Sequence, residues 1–217
     1  MSNTKYKIQG FTLLELLVVI GILAILAVTV VLVLNPSELL KQGRDSARLS
    51  DLSAINSSLG YFQVDRTGQW MGTSSVVYVS IPDTSTTCDN LGLPTLPTGW
   101  SYNCVTEANL KRVDGLGWIP VDLTGLSFGS TLSHYPVDPI NTTSTGNYYT
   151  YVAGGSWELT AMIESDKYKA TARNDGGDSD NAFEKGNDIA LAPLIFPNNW
   201  VKVPGSGTYN TSDFWVM

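Results

Sequence analysis

The chain has 217 residues, a net charge of −7, two cysteines and one histidine. That length accommodates one ordinary domain plus an appendage and leaves two full domains cramped. An acidic chain with no Lys/Arg cluster argues against nucleic-acid binding, whose affinity comes from cations neutralising phosphates, and one histidine with two cysteines is too few for a structural zinc site. The hydrophobic share of 43% is concentrated in an early block, Phe11 to Leu34, while the rest is rich in Gly, Ser, Thr, Asn and Pro and poor in Lys. Such a composition favours short strands and turns over long helices.

The chain opens on a short polar leader, MSNTKYKIQG, whose only charges are Lys5 and Lys7. The 24 residues that follow, FTLLELLVVIGILAILAVTVVLVL, reach about 36 Å as a helix, enough to cross a hydrocarbon core of about 30 Å. Lys5 and Lys7 set the topology N-in, C-out. A secretory signal peptide fits poorly, because the apolar run is long and Ala24 and Ala27 have the wrong spacing for an A-x-A site. A plain anchor leaves Glu15 unexplained, since an ionised carboxylate within an apolar span requires a partner.

The run Gly10-Phe11-Thr12-Leu13-Leu14-Glu15-Leu16-Leu17 resembles the class III leader and processing site of type IV pilins and type II secretion pseudopilins. The resemblance implies cleavage by a prepilin peptidase between Gly10 and Phe11, N-methylation of Phe11, and assembly through Glu15 into a helical homopolymer. It also implies partners, namely an inner-membrane assembly platform and other minor pilins, and two locations: the inner membrane before assembly and an extracytoplasmic filament after it. Loss of the leader, with Lys5 and Lys7, takes the net charge from −7 to −9. The new α-amine at Phe11 on an incoming subunit then neutralises the buried Glu15 of its neighbour, which fixes their register.

Residues 35–64 read as an amphipathic continuation of the helix. Leu52, Ile55, Leu59 and Phe62 are spaced three, four and three apart and make one apolar stripe. Lys41, Arg44, Asp45, Arg48 and Asp51 are expected on the wet half, and Asn35-Pro36 and Gly43 mark points where the helix kinks or locally melts. From Phe11 to Val64 a continuous helix spans about 81 Å, too long for a globule and suited to a filament. The Asn-Pro step and the Arg-Asp-Ser-x-Arg and Asp-Leu-Ser-x-Ile-Asn-Ser-Ser-Leu-Gly-Tyr patterns also resemble the family's post-membrane helix.

Asp65-Arg66-Thr67-Gly68 stops the helix and opens a head over 65–217. Val76 to Ile81 is a short strand. Residues 82–104 form a loop with Pro82, Pro94 and Pro97, which a Cys88–Cys104 disulfide staples; two buried thiols are the alternative. YYTYVA and WELTAMIE flank Gly154-Gly155-Ser156 as a hairpin between Tyr148 and Glu164. Trp157, Leu159, Ala161 and Ile163 face the helix, and Glu158, Thr160, Met162 and Glu164 face away. The fold class is α+β, a pilin-like fold with a long N-terminal helix on a small antiparallel sheet. Tyr135-Pro136-Val137-Asp138-Pro139 and this hairpin resemble the head of major pseudopilins.

The segment NDGGDSDNAFEKGND, Asn174 to Asp188, gathers acids in a turn-rich stretch. Its carboxylates suit Ca²⁺, and resemblance to pseudopilins that bind calcium in a C-terminal acidic loop nominates Asp175, Asp178, Asp180 and Asp188, although the EF-hand spacing is absent and a simply solvated loop is the alternative. His134 has no nucleophile elbow or phosphate loop to accompany it, so the chain reads as a non-enzyme, with an anchored enzyme the remote alternative. A minor tip pilin acting as an adhesin through Trp70, Trp100, Trp118, Trp200 or Trp215 is the nearer one.

Overall fold

In the computed structural model, residues 10–193, 195–196 and 200–201 are described, and within them the side chains of 32–34 and of residues beyond 193 are not. The chain divides into a unit ending at Leu40 and one beginning at Lys41. Helix α1 covers Leu13–Leu34 and α2 covers Pro36–Asp65. Between them Asn35 adopts a left-handed conformation, φ 40°, a role that Asn fills more readily than other non-glycine residues at helix C-caps. Its carbonyl accepts the N–H groups of Glu38 and Leu39 at 3.0 and 3.3 Å, and Pro36 stands at the first helical position, where its missing N–H costs nothing. The helix is therefore interrupted at Asn35 as expected. Gly43 lies within α2 without breaking it.

The head's sheet has five strands in the order β2-β1-β3-β4-β5: β1 (Val76–Val79), β2 (Ser101–Asn103), β3 (Tyr149–Ala153), β4 (Trp157–Met162) and β5 (Ala182–Gly186). A short helix, α3 (Asp166–Arg173), joins β4 to β5, and the pair β6 (Ile195–Phe196) and β7 (Trp200–Val201) stands apart as a two-stranded sheet. The β3–β4 hairpin has the expected register, from Tyr149↔Ala161 to Ala153↔Trp157. Its loop is Gly154-Gly155-Ser156, and Gly155 supplies the positive φ of 83° that a three-residue hairpin loop demands. The sheet is mixed rather than purely antiparallel. β1 and β2 run parallel, with Val76 opposite Ser101, because the loop between them carries the chain back to the edge at which β1 began.

One face of the sheet packs on α2. Leu52, Ile55, Leu59 and Phe62 share a buried cluster with Tyr149, Tyr151, Trp157, Leu159 and Ala161, and each such side chain contributes about 1.5–3 kcal/mol by leaving water. The aromatic polar ends are satisfied: the Trp157 indole N–H donates to Asn56 at 3.0 Å, the Tyr149 hydroxyl to Asp51 at 2.9 Å, and the Tyr151 hydroxyl to the Met71 carbonyl at 2.6 Å.

The other face, which the alternation of the hairpin turns away from the helix, is covered as well. Val77, Val79 and Val152 bury there against Cys88, Cys104 and Ala192, so the 82–104 loop serves as a lid. Cys88 and Cys104 are disulfide-bonded, with Cα atoms 5.3 Å apart and a separation of 16 residues. Replacing both by Ser is expected to cost about 3 kcal/mol and to lower the melting temperature by roughly 6–12 °C. Thermal melting followed by near-ultraviolet circular dichroism checks this, and an unchanged midpoint contradicts the staple.

Candidate processing and assembly site

At the start of α1 the chain builds a capping box. The Glu15 N–H donates to Thr12 Oγ1 at 3.2 Å, while the Thr12 N–H and hydroxyl donate to Glu15 Oε2, each at 2.8 Å. Two of the donors that every helix start leaves unpaired are thereby satisfied reciprocally. The acid has an intrachain partner in this arrangement, Thr12, which the sequence reading overlooked; the signal was the T-x-x-E spacing directly before an apolar run. Gly10 is exposed, and a Cβ built on it meets no atom within 4 Å. Lys5 and Lys7 fall outside the described residues.

Beyond the cap, α1 is apolar all round and exposed all round. Every residue from Leu13 to Val31 is exposed, the large side chains by between 46% at Val19 and 81% at Leu13. The helix is long and apolar enough to cross a membrane. A helix of this kind is stable only when buried, and no part of its own unit buries it.

In α2 the charges do not lie where the periodicity placed them. Asp45 and Arg48, expected on the wet half, are fully buried. Arg48 Nε and Nη2 donate to Asp138 at 2.6 and 3.0 Å, and its Nη1 donates to Asp45 at 2.7 Å and to Glu164 at 2.6 Å. Asp45 also accepts the Ser165 N–H at 2.7 Å, Asp138 accepts the Ile140 N–H at 2.8 Å, and Arg44 forks onto Glu164 at 2.7 and 2.9 Å. Because β4 ends at Met162, Glu164 escapes the strand alternation and turns to these arginines. One guanidinium thus ties α2 to the 138–141 turn and to the turn after β4. Burial disfavours the Arg48 cation, but the three carboxylates around it more than offset that and raise its pKa. Burial likewise pushes the Glu164 carboxyl up, and hydrogen bonds from Arg44 and Arg48 outweigh it, so the group titrates below its ordinary range.

What remains outside on α2 is neutral. The fully exposed positions from Gly43 onward are Gly43, Ser46, Ser50, Ser53, Ser57, Tyr61, Gln63 and Val64, and all but Gln63 recur at steps of three and four. Ser53 and Ser57 turn their hydroxyls back to the carbonyls of Leu49 and Ser53, at 2.7 and 2.9 Å. This face is therefore uncharged and built mostly of small residues.

Of the four aspartates nominated for calcium, Asp175 and Asp178 both meet Glu184, and Asp180 and Asp188 have other partners. Asp175 spends its oxygens on the N–H groups of Gly177 and Glu184, at 2.8 and 2.7 Å. Asp180 lies 3.9 Å from the Arg173 guanidinium and Asp188 accepts the Ala190 N–H at 3.3 Å, whereas Asp178 contacts Glu184. Among the described residues no three His, Cys, Asp or Glu side chains are grouped to hold a metal ion. An open groove of about 360 Å³ runs beside α3 and β5, lined by Thr171, Asn174, Phe183, Lys185 and Ile189 among others. His134 is exposed and shares a 2.9 Å hydrogen bond with Ser133. Of the tryptophans, Trp118 is buried, Trp100 half-buried and Trp70 59% exposed; Trp215 and the side chain of Trp200 lie outside the described set.

Residues 5–31 match the family described as the prokaryotic N-terminal methylation motif, the class III prepilin leader of type IV pilins and pseudopilins. The match spans Gly10, Phe11, Thr12 and Glu15 and most of α1. It supports a pilin-like or pseudopilin-like subunit, processed by a prepilin peptidase and anchored in a membrane, and it points to a structural component rather than an enzyme. No curated protein and no solved structure matches the chain.

Proposed function

We propose that the chain is a filament subunit of the type IV pilus or type II secretion pseudopilus kind, cut between Gly10 and Phe11, methylated at Phe11 and polymerised through α1. The observation that carries this reading is a 22-residue helix, apolar on every side, that its own unit leaves bare. Lipid satisfies it first, with the chain N-in and C-out. Identical helices replace the lipid when subunits are extracted into a polymer.

Glu15 gives that exchange its register. A carboxylate in hydrocarbon costs about 2.5–3.5 kcal/mol, and the Thr12 donors share it with the helix start without neutralising its charge. An α-amine at Phe11 of a neighbouring subunit supplies the missing positive charge. The neutral Gly/Ser face of α2 supports the same reading, because adjacent copies can approach it without burying an unpaired charge.

Mass spectrometry of mature protein taken from membranes or fibres tests the processing step. The expected N-terminal residue is Phe11 carrying one extra methyl group, and assembled material that still begins at Met1 overturns it.

A further inference from the structure

Independently of the assembly reading, we infer that the 174–181 loop is a plug for the outer edge of β5, in which Asp175 and Ser179 occupy the backbone donors that a second copy of this chain would otherwise pair with. The loop keeps two heads from joining sheet to sheet.

A sheet that ends in an open strand offers a row of unpaired donors and acceptors to any other strand. β5 is last in the order β2-β1-β3-β4-β5, and among the described residues no strand pairs with its outer side. At five residues it is long enough to take a partner, whereas the opposite edge, β2, has three. The chain just after β2 is also engaged, because the Cys104 N–H donates to the Thr86 carbonyl at 2.9 Å. A very short edge is itself a guard against pairing; β5 requires another.

Residues that face the neighbouring strand and residues that face away alternate along an antiparallel pair. The Asn181 carbonyl accepts the Ile163 N–H at 3.1 Å, and the Asn187 N–H donates to the Trp157 carbonyl at 3.2 Å, so positions 181, 183, 185 and 187 bond towards β4. Ala182 and Glu184 therefore aim their N–H groups away from the sheet. Both are met by side chains of the loop that leads into β5. The Ala182 N–H donates to Ser179 Oγ at 3.0 Å and the Glu184 N–H to Asp175 Oδ2 at 2.7 Å. Where a sixth strand would offer backbone carbonyls, the loop supplies a hydroxyl and a carboxylate oxygen. Although they belong to an edge strand, Ala182 and Glu184 are only 2% and 1% exposed.

The plug is fastened at several points. The Ser179 N–H returns a bond to Glu184 Oε2 at 2.8 Å, Asp175 Oδ1 accepts the Gly177 N–H at 2.8 Å, and Ser179 Oγ also accepts the Asn181 N–H at 3.3 Å. Gly177 passes so close to β5 that a Cβ on it would lie 2.0 Å from Glu184 Oε2, and Gly176 turns the chain at φ 93°. In the run Asp175-Gly176-Gly177-Asp178-Ser179 the two glycines thus let the backbone turn and approach, and the residues at its ends deliver the acceptors. A second copy is the partner excluded, because every copy carries the same edge and antiparallel pairing of one β5 with another is self-complementary about a two-fold axis.

Hydrogen exchange and sedimentation of the full chain in detergent test the plug. In the parent, the Ala182 and Glu184 amides are expected to exchange at least about 100-fold more slowly than unstructured amides, with or without EDTA. Asp175→Ala should speed exchange at Glu184 about tenfold or more. Asp175→Asn, whose amide oxygen still accepts the Glu184 N–H, should keep most of the protection. Asp175→Ala combined with Ser179→Ala should in addition sediment as dimers where the parent does not. Parent and variant carry the same α1, so a difference between them belongs to β5 and not to helix-driven assembly. Parent amides that exchange at the unstructured rate overturn the proposal, and so does a folded double variant that sediments as the parent does. Protection that the parent loses in EDTA also overturns it, since a cation and not the two side chains then holds the loop. Should the double variant fail to fold, the two single variants decide: equal exchange at Glu184 in Asp175→Ala and Asp175→Asn removes Asp175 from the edge.

Discussion

Arg48→Ala is expected to destabilise the head by about 3–5 kcal/mol, a drop of roughly 10 °C or more in melting temperature. The size follows from what is left behind. Asp45, Asp138 and Glu164 converge on one guanidinium, two of them fully buried, and its removal leaves buried negative charges of which Arg44 bonds Glu164. Arg44→Ala is the control. That side chain is about one-third exposed and meets Glu164 alone, so its loss should cost about 1 kcal/mol or less. Melting of the two variants side by side decides the matter: equal small shifts would show that Arg48 is a packing residue only. Because the cluster is buried, the difference should also persist at high salt, which screens exposed pairs far more than buried ones.

Glu15→Ala and Glu15→Gln are both expected to insert normally and to fail in assembly. Removing an ionised group from the apolar span makes insertion easier, by about 2.5–3.5 kcal/mol. The loss of the capping box from the Ala variant costs the helix start about 1 kcal/mol, while Gln keeps an oxygen to accept the Thr12 N–H and so separates capping from charge. In a polymer each missing carboxylate leaves a neighbour's amine buried without a partner, at about 3–5 kcal/mol, which lowers the subunit association constant about 100-fold or more. Sedimented filament from equal amounts of membrane-inserted protein measures it. Normal fibres from Glu15→Gln would show that Glu15 acts only as a helix cap, and normal fibres from both would remove it from assembly.

Much of the organisation was legible along the chain because the relevant signals are local. The apolar run and its T-x-x-E start specify α1 whatever surrounds them. The three-four spacing of Leu52, Ile55, Leu59 and Phe62, and the period-two hairpin about Gly154-Gly155-Ser156, name the two surfaces that pack. The Asn35-Pro36 interruption follows from proline chemistry and from asparagine's tolerance of the left-handed region. What was misread depended on chain segments far apart in sequence. Arg48 looked like a surface residue because its partners, Asp138 and Glu164, lie 90 and 116 residues away. β2 was invisible at three residues, since only pairing with β1 makes Ser101–Asn103 a strand.

The same division holds for the acids. Sequence proximity grouped the acids of the Asn174–Asp188 segment, while the fold sets one of them, Glu184, beside Glu158, which periodicity had turned away from the helix. By itself the sequence determined the membrane-length helix, its carboxylate, the stripe that meets the sheet and the cysteines that staple the loop, because propensity, periodicity and chain proximity act within a few residues. Only the tertiary structure decided which charges are buried, since the cost of burying a charge depends on what surrounds it in space. The fold surrounded Arg48 with three carboxylates, turned a Gly/Ser face of α2 outward, and set two glutamates against each other beneath the 188–192 segment.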